Sequence, residues 1–233
     1  MKLKIKPLLA SIAFVTLSTP LHGYAQANTA HHQDYQAALE LVASSEDKLI
    51  AAMHQLQSGQ VAHYDFLQFE HIELVRHSRA LVYPPSDVAD SSKALIQDEA
   101  RALLNSAESL EWIISDFLRA MAQVRSATNN TLDIAHLASA NATDAQAVNL
   151  AELQAACTGF SAAAFQEGWE DLAAAYDRVL ESELTQQTRR ELQFQKERLG
   201  LYAQQLNGFI QKLAESDVDE RAEQLMVLYQ AAT

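Results

Sequence analysis

The chain has 233 residues, a formal net charge of −13 and a single cysteine. That length allows one large domain or two small ones. The acidic balance argues against a nucleic-acid partner, because phosphate backbones would be repelled. Cys157 has no second cysteine to pair with, so stability must come from a packed core and not from an intramolecular disulfide.

The first 27 residues read as a secretory signal peptide. Lys2, Lys4 and Lys6 form a positive start, and Leu8 to Leu17 is an apolar stretch too short to span a bilayer. Ala25-Gln26-Ala27 has the small-x-small form of a cleavage site. Removing the three lysines takes the net charge from −13 to −16. The expectation is a soluble exported protein, most simply periplasmic, with no membrane span after processing.

The remaining chain is rich in Ala, Leu, Gln and Glu, with 6 Gly and 4 Pro in the whole sequence. Such a composition favours helix throughout. A first helix is expected over Gln33 to Gln57. Tyr35, Leu39, Val42, Glu46, Leu49, Met53 and Leu56 recur in alternating steps of four and three, the spacing of a coiled-coil seam. Gly59 marks a turn. A second helix follows from Val61 to Val82, ended by Pro84 and Pro85, which lack the amide hydrogen a helix needs.

A third helix is expected from Ser92 to Ser126, with Leu95, Ala102, Ile113, Phe117, Ala120 and Val124 inward and Thr128-Asn129-Asn130 as its breaker. A fourth covers Leu132 to Ala156, split near Asn141. Cys157-Thr158-Gly159 then separates a fifth, Phe160 to Glu183. Thr185 caps a sixth, Gln186 to Ala214, on a regular seam of Leu192, Gln195, Leu199, Tyr202, Leu206, Phe209 and Leu213. Asp217 caps a last helix to Gln230. Trp112, Trp169 and Tyr202 read as core aromatics.

Short loops between amphipathic helices make antiparallel neighbours. The fold expected is all-α: an up-and-down antiparallel helical bundle of about six to seven helices, which two stacked sub-bundles would also satisfy. The division expected is 1–27 signal peptide, 28–156 N-terminal bundle with a histidine-rich hairpin, and 157–233 C-terminal hairpin or bundle.

The compositional anomaly is histidine. Six of the eight fall between His31 and His77. On a helix at about 100° per residue, His63, Glu70 and His77 share one face with Leu67, Leu74 and Leu81, while Arg76 and Arg79 point away. Folding the hairpin about Gly59 sets His54 beside His63, and Glu46 near Glu70 and Glu73. Facing carboxylates in an apolar seam need a proton, a base or a metal ion. The candidate metal ligands are therefore Glu46, His54, His63, Glu70, Glu73 and His77, a mixed set that suits Zn, Cu, Ni or Fe.

Three functions compete at this stage. The first is an exported, non-enzymatic protein holding a transition metal. The second is an envelope scaffold or interaction module without metal, joining a protein partner or itself through helical seams. The third is a di-metal carboxylate oxidase-like or haem-binding protein. It lacks the paired Glu-x-x-His of di-iron bundles and any Cys-x-x-Cys-His.

Overall fold

A computed structural model describes residues 29–58, 64–162 and 165–233, with backbone alone at 161–162 and 165–167. The signal segment lies outside the described residues. All regular structure among them is α-helical, so the all-α bundle holds.

Helix α1 covers 29–43. It is followed by α2 (Ser45–Gln57), α3 (Asp65–Leu81), α4 (Asp90–Ser139), α5 (Asp144–Ala162), α6 (Phe165–Glu181), α7 (Gln186–Ala214) and α8 (Val218–Ala232). The spine is α4, whose 50 residues span about 75 Å. It packs against α3, α5, α7 and α8. Buried residues from the described helices form a continuous hydrophobic cluster, with Leu49, Leu74, Phe117, Leu199 and Tyr229 fully enclosed.

The seam expected from Tyr35 to Leu56 is buried at every position, yet its helix is broken at Ser44. The Ser44 and Ser45 hydroxyls both donate to the Leu41 carbonyl, at 3.1 and 2.6 Å. Serine hydroxyls that take backbone carbonyls compete with helix continuation.

Two other boundaries differ from expectation. Thr128-Asn129-Asn130 does not break α4. Thr131 donates back to the Ala127 carbonyl at 2.8 Å and meets the Tyr176 hydroxyl at 2.5 Å, so core contacts hold the stretch helical. Cys157-Thr158-Gly159 lies inside α5, where a single glycine only weakens a helix. The split expected near Asn141 falls at 140–143. There the Thr143 amide donates to Gln146 Oε1 (2.8 Å), while the Gln146 amide donates to Thr143 Oγ1 (3.4 Å). This is a capping box.

In α4 the inward stripe is set by Ile96, Ala100 and Leu103, and Leu95 is 60% exposed. Trp112 is not a core residue either: it is half exposed beneath Lys212, whose Nζ sits 5.1 Å from the ring. Thr185 caps α7 as expected, accepting from the Thr188 amide at 3.1 Å. Asp217 makes no cap bond to α8 and instead accepts from Arg221 Nε at 2.6 Å.

Candidate functional site

Of the six residues singled out as metal ligands, the five among the described residues do not share one place. Glu46 is 6% exposed, in the first turn of α2. Its Oε2 accepts from Ser216 Oγ at 2.6 Å, which ties it to the turn between α7 and α8. Asp219 of α8 stands close enough for Glu46, Asp47 and Glu223 to act on it. Burial pushes the Asp219 carboxyl up to about 6, and those three acids add to the rise. Its Oδ1 is buried with no partner among the described residues. Arg101, Arg119 and Arg125, the arginines available on α4, are engaged elsewhere: with Asp98, with Asp116, and over the Tyr64 ring.

His54 is exposed near the end of α2. His63 lies outside the described residues. Glu70 and His77 are half-buried beside Leu67, Leu74 and Leu81, as the helical spacing requires. Glu73 and His77 do come together, Oε2 to Nε2, at 3.6 Å. Arg76 also bonds Glu73 and lies 3.1 Å from His77 Nε2. Burial and the Arg76 charge hold His77 below its ordinary value of 6.5, against the opposing pull of Glu73. His77 is thus neutral at pH 7. Among the described residues, no three of His, Cys, Asp and Glu gather as a metal-holding group.

A different feature of α3 stands out. Phe69, Ile72, Arg76, Arg79 and Tyr83 follow one another in steps of three, four, three and four. The first four fall within roughly 80° on the helix, about half a turn from the buried Leu67, Leu74 and Leu81, and Tyr83, two residues past the end of α3, continues the spacing. Phe69 is 57% exposed, Ile72 60% and Tyr83 76%. The helix therefore carries two apolar seams, back to back, and the fold uses one. The outer seam borders a groove of about 790 Å³ whose far wall is formed by Glu108 and Glu111 of α4. His71 fixes the spacing of α3 and α4 with a 3.0 Å hydrogen bond to the Ala107 carbonyl.

The N-terminal helix is anchored by a polar chain. His32 Nε2 lies 2.9 Å from Asp87 Oδ1, and its Nδ1 lies 2.5 Å from the Tyr229 hydroxyl. A neutral imidazole satisfies both bonds, with Nε2–H donating to Asp87 and Nδ1 accepting from Tyr229. Tyr35 stacks on Tyr229 with ring centroids 4.5 Å apart, and its hydroxyl donates to the Leu81 carbonyl at 2.9 Å. The Cys157 thiol is buried, and burial pushes it up to about 12, so it is no nucleophile at neutral pH.

Sequence reasoning did not find the outer seam of α3 or the Glu46–Ser216 contact. The seam was legible in the spacing of Phe69, Ile72 and Tyr83. The contact was not, because its halves lie far apart in the chain. Compared with family profiles, curated proteins and solved structures, the chain matches none.

Proposed function

We propose that this is an exported, periplasmic, non-catalytic helical-bundle protein that binds a helical segment of another envelope protein along the outer seam of α3. The observation that carries this reading is the exposure of Phe69, Ile72 and Tyr83 at seam spacing. Single exposed apolar residues are ordinary on a surface; an ordered stripe of them opposite the core face calls for a partner. A three-four repeat fits another helix through ridges and grooves.

A second copy of the chain fits this face poorly. Two α3 helices packed seam to seam in register, in either direction, bring Arg76 against its own counterpart. Like charges facing across an interface are unfavourable by several kcal/mol as an order of magnitude. The export half of the reading rests on Lys2, Lys4, Lys6, the Leu8–Leu17 stretch and Ala25-Gln26-Ala27.

The test is photo-crosslinking in the exporting cell, with the crosslinker placed at position 69, 72 or 83 and, as a control, at position 224 on α8. A discrete heterologous adduct is expected from positions 69, 72 and 83 and not from the control. Adducts from all four positions alike, or from none, would contradict the reading.

A second reading is favoured by one distance, the 3.6 Å between Glu73 and His77. In it, Zn, Cu, Ni or Fe is held by these two residues, and Arg76 must swing aside. Melting after chelation and then on titration with each metal decides it. A rise with one metal that His77→Ala abolishes supports it, and equal melting throughout sinks it.

A further inference from the structure

Resting on the docking reading above, we infer that the partner helix is acidic at the centre of its apolar face, with two carboxylates one seam step apart that meet Arg76 and Arg79. The argument begins with the order of side chains along the seam. Its ends are apolar, Phe69 and Ile72 at one and Tyr83 at the other, and its middle is two guanidiniums. These side chains are 62% and 64% exposed. Both stand on a molecule whose net charge is −13.

Each guanidinium uses one terminal nitrogen, Nη2, in its bonds among the described residues: Arg76 to Glu73 and His77, Arg79 to Glu108 at 2.9 Å. A guanidinium has five N–H donors in a planar fork. Both bidentate forks, Nε/Nη2 and Nη1/Nη2, include that Nη2, so a carboxylate that takes a fork must displace the intrachain bond. The intrachain pairs do not oppose this. Exposed ion pairs contribute at most about 1 kcal/mol, so they reorganise readily.

The groove supplies the other constraint. Glu108 and Glu111 line its α4 side. An arriving helix with acid all round would be repelled there, so its carboxylates must be confined to the strip that faces α3. The partner is therefore an amphipathic helix with leucine-like residues at seam positions toward its ends, Glu or Asp at two consecutive seam positions in its middle, and a neutral or basic flank toward α4. An acidic membrane surface does not meet these terms, because it would confront the whole negative molecule.

The experiment uses the full mature chain and three synthetic helical peptides of about three heptads. They are identical except at two central seam positions, which carry Glu, Gln or Lys. Fluorescence anisotropy gives the affinity of each. The Glu peptide is expected to bind about tenfold more tightly than the Gln peptide, and the Lys peptide weakest, with the difference shrinking as salt rises from about 0.15 M to 1 M. In the Arg76→Glu/Arg79→Glu protein the order should reverse. Should that protein fold poorly, Arg76→Gln/Arg79→Gln should make the three peptides equal.

Equal binding of all three to the wild type, lost with Ile72→Glu, would overturn the inference and leave the docking reading standing. No binding of any peptide would overturn both. A stable dimer of the unliganded chain that Ile72→Glu dissolves would also overturn it, since the face would then belong to a second copy.

Discussion

Ser216 donates to Glu46 across 2.6 Å, and so joins the first turn of α2 to the turn that opens α8. The first turn of a helix favours a negative charge, and Glu46 has this support as well as the hydroxyl. Ser216→Ala removes the hydroxyl and leaves a buried carboxylate with one partner fewer. The expected loss is about 1–3 kcal/mol in chemical denaturation. Glu46→Gln keeps an acceptor for Ser216 and should lose less. Equal, negligible losses for both would show that the contact does not hold these elements together.

Asp219 gives this junction a pH dependence of unusual sign. Its carboxyl is raised from an ordinary 3.8 to about 6 by burial and by Glu46, Asp47 and Glu223. A raised value means that the folded chain binds the proton more tightly than the unfolded one. The resulting stabilisation is fully present below pH 3.8 and fades as pH rises through about 6. Above that, an ionised Asp219 faces three acids. Asp219→Asn carries no charge at any pH, so it should gain on the wild type as pH rises. A melting temperature higher by about 2 °C at pH 7.5 is expected, allowing for solvent screening, and almost none of that advantage below pH 3.8, where both states hold the proton. A constant difference between the two pH values would contradict the assignment.

The chain Asp87–His32–Tyr229 fastens α1 to the loop between α3 and α4 and to α8. Tyr229→Phe deletes one of its two bonds and keeps the ring that Tyr35 stacks on. A loss of about 1 kcal/mol is expected. Amides of 29–43 should exchange faster while those of α4 do not, because α1 would open locally. Unchanged exchange in α1 would mean that its apolar residues alone secure it.

Much of this architecture is legible in spacing. The stripe from Tyr35 to Leu56 is visible residue by residue, Glu46 included, and so are the bounds of α7. What spacing hides is competition. Ser44 and Ser45 suit either a helix or a break, and the choice is made by the Leu41 carbonyl they share. Thr128-Asn129-Asn130 reads as a breaker until Tyr176 of α6 reaches Thr131. On α4, Leu95 and Ile96 are adjacent and equally apolar, so the inward one is fixed only by the neighbours. The candidate ligands show the same limit. The faces of Glu70 and His77 follow from helical geometry, but the engagement of Glu46 by Ser216 joins residues 170 positions apart. On α3, the inner leucines and the pull of ionisable groups among them obscured a second seam half a turn away.

The outer seam of α3 is the centre of the functional account, and its most direct test needs only the protein. If the fold makes no use of that face, Phe69→Ser, Ile72→Ser and Tyr83→Ser together should leave the melting temperature within about 1 °C of wild type, as surface substitutions do. A fall of about 5 °C or more, the mark of lost core packing in a domain this size, would show that the chain covers this face itself and has none to offer a partner.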